Sequence, residues 1–254
     1  MSSMADDVWQ SCNGHKFISP LSGTLYRLVE SQEQIATRQL VDTLEEQALL
    51  EEMLETVKPP YPDRLDHLHY LLKTPFRYPP LKWGSRFGRT FEPSIFYGGC
   101  SVDVTLAESA YYRFVFWHSM DGKPPKPILR SAHTLFSVGY QSALGVRLQS
   151  PPFDQHVNVI AHPTNYFPTQ HLGTAMRNDG VQVFEYPSAR ANDHGPCVGL
   201  FSAEPFCQNS PLDRQQWFCD VATDAVIFKA VEESRIVRFE LLQFLDDGIL
   251  PIPA

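Results

Sequence analysis

The sequence lacks any run of about 18 apolar residues, so no segment reads as a membrane-spanning helix. It also lacks an apolar stretch behind a basic start. The opening MSSMADDVWQSCNGHK places Asp6 and Asp7 ahead of the first basic residue, Lys16, so no secretory signal is read and a cytoplasmic location is expected. Positive charge is in short supply: 21 Lys and Arg stand against 29 Asp and Glu, a net charge of −8. That balance argues against a broadly basic surface for nucleic acid or anionic membrane, so any anionic ligand must be held by a few local arginines. The five cysteines, Cys12, Cys100, Cys197, Cys207 and Cys219, form no CxxC pair. A disulfide framework and a zinc ribbon are therefore not indicated, and buried structural thiols are expected. Common catalytic signatures are missing as well: there is no GxSxG elbow, no GxxxxGK[ST] loop, no HExxH helix and no GxGxxG after a strand.

What is present suits a folded core. The chain has 254 residues, 43% hydrophobic and 20% charged, enough for one large domain or two small ones. Residues 1–22 hold no sustained periodicity and read as an irregular N-terminal arm. The segment Thr24-Leu25-Tyr26-Arg27-Leu28-Val29 is β-prone apart from Arg27, whose charge in such a segment calls for a partner. Ser31 and Gln34 have capping-box spacing, and Ile35, Leu40, Leu44, Ala48, Leu50, Met53, Leu54 and Val57 recur near a helical period. Asp42, Glu45, Glu46, Glu51, Glu52 and Glu55 line the other face as a solvated surface, with partner docking as the alternative. Pro59-Pro60 stops this unit, and a short helix is expected at 63–73, before Pro75.

From Pro75 to Gly99 the chain turns aromatic, Pro-, Gly- and Arg-rich, reading as loops around one strand at Ser94–Tyr97. Asp103 is placed to cap a helix running to about Trp117, with Leu106, Ala110 and Phe114 on one stripe and Glu108 on the other side. Strands are then expected at Ala132–Val138, Val157–Ile160, Val181–Tyr186, Val198–Ser202, Gln216–Val221, Ala225–Val231 and Ile236–Leu241, with a short helix at 168–180. Strands on both sides of the helical segment, without regular βαβα alternation, favour a mixed α+β fold.

His67 and His69 face apart on a helix and no further ligand completes a tetrahedron, so no metal is expected there. His156 and His162 read as ordinary polar residues and Asp193-His194-Gly195 as a turn. A scattered set remains: Arg27, Arg86, Tyr97, Glu108 and Ser188. Taken singly, each has a structural explanation, such as a loop arginine or a helix-start glutamate favoured by the dipole.

Together these residues resemble the RES-domain family. The matching pieces are LYRLV at 25–29, GSRFG at 84–88, SIFYGG at 94–99, LAE at 106–108 and YPSAR at 186–190, in the family's order. The departure is the acidic helical segment, since compact members pass almost directly from the first Arg to the Gly-Arg piece. The resemblance implies an ADP-ribosyltransferase-like mixed β core with flanking helices: an irregular arm over 1–22 and a single RES-like catalytic domain over 23–254, with an inserted amphipathic helical segment at 31–73.

It further implies an enzyme that consumes NAD+ as substrate, without a metal, by cleaving the nicotinamide–ribose bond and passing ADP-ribose to water, phosphate or a protein. Glu108, Arg27 and Ser188 are then the catalytic residues. Arg27 and Arg86 hold the pyrophosphate as planar forks, Tyr97 stacks on the nicotinamide or its ribose, Ser188 holds the ribose or amide, and Tyr78 helps close the pocket. The implied partners are NAD+ and, for a toxin of a toxin–antitoxin pair, a helix-turn-helix antitoxin, with a homodimer left open and neither nucleic acid nor membrane bound directly. The alternative is a nucleotide-binding regulatory module without turnover.

Overall fold

The computed structural model describes residues 7–31, 41–122, 124 and 126–252. Eight strands form one mixed sheet: β1 (Ser19–Glu30), β2 (Phe96–Gly99), β3 (Leu129–Arg147), β4 (Val183–Pro187), β5 (Pro196–Leu200), β6 (Asp213–Val221), β7 (Ala225–Ala230) and β8 (Ile236–Glu240). Their order is β1-β2-β5-β4-β3-β6-β7-β8, and β1 also pairs with β3. Strands β1, β2, β5, β4 and β3 thus close a circuit of pairing, from which β6, β7 and β8 extend as an antiparallel meander. Only the short β3–β4 contact, Gly145 to Arg147 against Val183 to Glu185, is parallel among the described strands. The fold is α+β, with helices packed against the sheet.

The long β3 makes this arrangement possible. Its nineteen residues are almost continuously buried from His133 to Tyr140, which suits a strand covered on both faces. One edge pairs with β1 from Glu30↔His133 to Ser19↔Gly145, while the other serves β6 first and β4 later.

Helix α4 (Val102–His118) crosses this sheet. Leu106, Ala110 and Phe114 are fully buried against Trp217, Val226 and Phe228 of the meander, each large side chain contributing about 1.5–3 kcal/mol by leaving water. The cap is Ser101, whose hydroxyl accepts from the Val104 amide, and not Asp103, which instead pairs with Arg235 at 2.6 Å. Helix α6 (Phe167–Asn178) packs Leu172 and Met176 beside Phe87 and Phe184. A Cβ on its Gly173 would lie 1.8 Å from the Phe87 carbonyl oxygen, so glycine is what lets α6 approach the 84–88 loop.

Several expectations are corrected. Residues 8–22 are not irregular: α1 (Val8–Ser11), a 3-10 turn at Gly14–Phe17 and the start of β1 occupy them. Trp9 is buried and its indole N–H donates to Asp179 at 2.7 Å, a long-range contact invisible to local periodicity. Val157–Ile160 is a helical turn, α5, rather than a strand; four β-branched-rich residues are too few for periodicity to decide. The short helix, α3 (Tyr70–Arg77), starts later than expected and runs through Pro75, with His69 as its cap. Helix α2 (Leu44–Thr56) is capped by a Thr43–Glu46 box, while Gln34, Ile35 and Leu40 lie outside the described residues. Its apolar side chains Leu44, Leu49, Met53, Leu54 and Val57 are exposed and only Gln47 is buried, so its apolar positions add little to the core.

No helix among the described residues is long and apolar enough to cross a membrane.

Candidate active site

Five elements converge on one place. Arg27 comes from β1, Arg86 from the loop before β2, Tyr97 from β2, Glu108 from the second turn of α4, and Ser188 from the residue after β4. The centre is a hydrogen bond: Ser188 Oγ donates to Glu108 Oε1 at 2.6 Å. Ser188 is fully buried, and its hydroxyl also accepts from the Arg190 and Ala191 amides at 3.0 and 2.9 Å. With its hydrogen committed to the carboxylate and its lone pairs to the amides, that hydroxyl has one orientation. The Ser188 amide donates to the Gly195 carbonyl and the Ser188 carbonyl meets His194 Nδ1 at 2.8 Å, so the Asp193-His194-Gly195 turn folds back onto it.

The buried Cys197 thiol points at the same Glu108 oxygen from 3.8 Å. Burial, and then the Glu108 carboxylate, push this thiol well above its ordinary range, so it stays neutral.

The arginines stand out by what they do not contact. Arg27 Nη1 donates to the Tyr97 carbonyl at 2.7 Å and its guanidinium lies 4.8 Å from the Phe96 ring centre. Arg86 Nη1 donates to the Ile160 and His162 carbonyls at 3.2 and 2.8 Å, and its guanidinium lies over Tyr166. Arg190, buried, stacks 3.4 Å from the Tyr111 ring centre and donates to the Pro163 carbonyl at 2.6 Å. None of the three makes an ion pair with a carboxylate among the described residues. Burial holds Arg27 down to about 10. Burial also opposes the charge on Arg86, where Tyr166 and then Glu108 more than offset it. Of the three, Arg86 feels the charge of Glu108, and the planar fork of arginine matches phosphate geometry.

Tyr97 has a role that sequence reasoning did not include. Its hydroxyl accepts from the Phe87 amide at 3.1 Å and bonds Ser85 Oγ at 2.9 Å, pinning the loop that carries Arg86. Burial pushes this phenol up to about 12, so it remains a neutral partner. Gly84, at φ +76°, makes the turn that starts the loop, and Gln170 of α6 donates to the Trp83 and Ser85 carbonyls from the other side. Tyr78 is not brought to the cluster by any contact. It is 42% exposed and tied through its carbonyl to Ser94 Oγ.

Arg190, Tyr112, Tyr166 and Cys197 were missed as neighbours of Glu108. Arg190 lies inside the YPSAR piece and Tyr112 follows Glu108 by one helical turn, so both carried a local signal. Tyr166 and Cys197 carried none. His69 Nδ1 accepts from the Leu71 amide as the cap of α3, and no group of three or more His, Cys, Asp or Glu that could hold a metal occurs among the described residues.

Among solved structures, the chain is similar to a chain of the M. tuberculosis MbcT–MbcA toxin–antitoxin complex, with 11% identity, a TM-score of 0.46, and coverage of 87% of this chain and 95% of that one. No curated protein matches the chain. The family model of the RES domain matches residues 61–221, which include Arg86, Tyr97, Glu108 and Ser188 and leave Arg27 outside. That match spans more than half of the sequence and contains four of the five converging residues: the chain belongs to the RES-domain family.

Proposed function

We propose that the chain is an NAD+-consuming enzyme that cleaves the nicotinamide–ribose bond and passes ADP-ribose to water, phosphate or a protein side chain. The observation that carries this reading is the Ser188–Glu108 hydrogen bond of 2.6 Å set among arginines that lack a carboxylate partner. NAD+ supplies what such a site needs, a dianionic pyrophosphate for the guanidiniums and a ribose whose C1′ becomes positive as its bond to nitrogen breaks. The bonding pair leaves with the nicotinamide, which becomes neutral. The acceptor oxygen then bonds C1′ and gives up any proton it carries.

Glu108 offsets the charge developing at C1′ and accepts from the ribose hydroxyls, by the physics carboxylates use in glycoside cleavage. Ser188 orients that carboxylate and, as it releases Glu108, is free to meet the substrate. Arg27 and the donors of Arg86 not spent on carbonyls meet the pyrophosphate, and Tyr97, which pins the loop carrying Arg86, stacks on the nicotinamide or its ribose. Tyr78 is exposed and lies outside the contacts of the cluster, so closing over bound substrate would require it to move. No step calls for a metal.

The deciding experiment incubates the purified chain with NAD+, with and without phosphate and with cell lysate, and identifies products by mass spectrometry. Free nicotinamide is expected, with the companion product naming the acceptor. Absence of nicotinamide in every mixture, or undiminished release by a folded Glu108→Gln variant, overturns the reading. Calorimetry showing NAD+ binding without product would support a regulatory module instead. The family resemblance also suggests a toxin held by a helix-turn-helix antitoxin in the cytoplasm. Growth arrest on expression, relieved by a co-expressed small DNA-binding protein encoded beside it, tests that role.

A further inference from the structure

Tyr112 is an aromatic residue beside the cluster that remains open to a ligand. It follows Glu108 by four residues on α4, so the two side chains share a face about one 5.4 Å turn apart. Its ring is 54% exposed and packs edge-on against Tyr111, which is fully buried beneath the Arg190 guanidinium. Its hydroxyl makes no hydrogen bond with the described residues, unlike the hydroxyls of Tyr97, Tyr111, Tyr140 and Tyr166. The charged and ionisable groups acting on it are Tyr166, Glu108, Arg86 and Arg190. A phenol with an ordinary value of about 10 keeps its proton at neutral pH, so the hydroxyl is a donor.

A neutral O–H donor without a partner, beside two guanidiniums that lack carboxylates, suits an anionic oxygen. Each arginine has already spent part of its fork on carbonyls: Arg86 Nη1 on Ile160 and His162, Arg190 Nη2 on Pro163. A third donor of another shape completes the site.

We propose that the Tyr112 hydroxyl donates to a pyrophosphate oxygen of the dinucleotide substrate, forming with Arg86 and Arg190 an anion site one helical turn from Glu108. This inference rests on the NAD+ reading above and adds a residue which that reading does not use. A contact made to the pyrophosphate is the same before and during bond cleavage, so its loss acts on binding and leaves the chemical step alone.

The test measures affinity for NAD+, ADP-ribose and nicotinamide riboside by calorimetry, with steady-state nicotinamide release, in the parent, Tyr112→Phe and Tyr112→Ala. Tyr112→Phe keeps the ring and its packing, and folding is checked by thermal melting. Loss of one hydrogen bond to a charged oxygen predicts about tenfold weaker binding of NAD+ and ADP-ribose by Tyr112→Phe. The KM is expected to rise by a similar factor, kcat to stay within about twofold, and binding of nicotinamide riboside, which has no pyrophosphate, to be unchanged.

If Tyr112→Phe matches the parent and only Tyr112→Ala loses affinity, the ring and not the hydroxyl makes the contact, and the inference is overturned. A fall in kcat with unchanged affinity overturns it too, as does equal weakening for nicotinamide riboside. If the parent binds NAD+ and releases nicotinamide, any of these outcomes removes the Tyr112 assignment alone. If the parent does neither, the functional reading itself fails and takes the assignment with it.

Discussion

Ser188 Oγ donates to Glu108 Oε1 across 2.6 Å, joining residues 80 apart in the chain while two backbone amides hold the same oxygen from behind. One buried hydroxyl thereby does two jobs: it closes the turn after β4 and aims a carboxylate carried by α4.

Ser188→Ala removes all three bonds and leaves the Arg190 and Ala191 amides buried without that acceptor. Each such group costs about 1–3 kcal/mol, so a loss of about 2–4 kcal/mol in urea unfolding is expected, with nicotinamide release reduced as Glu108 loses its orientation. A variant as stable and as active as the parent would show that the hydrogen-bond set is dispensable.

Tyr97→Phe tests the pinning of the 84–88 loop. The substitution keeps the ring against Tyr186 but removes the bonds to the Phe87 amide and Ser85. A destabilisation of about 1–3 kcal/mol is expected, together with weaker NAD+ binding, because Arg86 rides on that loop. Unaltered melting and affinity would separate Arg86 placement from Tyr97.

Arg27→Met is expected to separate stability from function. Burial already holds the Arg27 charge down to about 10 with no carboxylate nearby to compensate. Methionine relieves the desolvation of that charge but leaves the Tyr97 carbonyl without the Arg27 donor, two opposing effects, so Tm is expected to stay nearly unchanged. Affinity for NAD+ is expected to fall at least about tenfold with the lost fork. A marked drop in Tm with intact binding would assign Arg27 to the scaffold alone.

His133 makes stability depend on pH. It is buried in β3, and burial, followed by the charge of Arg113, lowers it from 6.5 to about 4 in the folded chain. Between those values the unfolded chain binds the extra proton. Its contribution, about 3 kcal/mol, is therefore fully present above pH 6.5 and is lost as pH falls towards 4. Urea titrations at pH 4.5, 5.5 and 7 should give rising stability, with a flatter profile in His133→Gln. The same slope in that variant would place the titrating group elsewhere.

The sequence alone determined the α+β class, because the β-prone segments on both sides of the helical stretch and the α4 stripe of Leu106, Ala110 and Phe114 are local patterns. It also determined which residues to watch, since four of the five pieces fall in the matched family region and their order survives without coordinates. Where each side chain finds its partner was decided by tertiary structure. Val157–Ile160 became a helical turn whose Ile160 carbonyl receives Arg86, against the β propensity of its residues. Trp9 docked on Asp179 across the molecule, and Cys197 reached Glu108 from β5. Ser188 and Glu108 are an unremarkable turn serine and a helix glutamate in sequence. They become one site because the chain just after β4 meets the second turn of α4, a non-local contact that propensity and spacing within a segment do not encode.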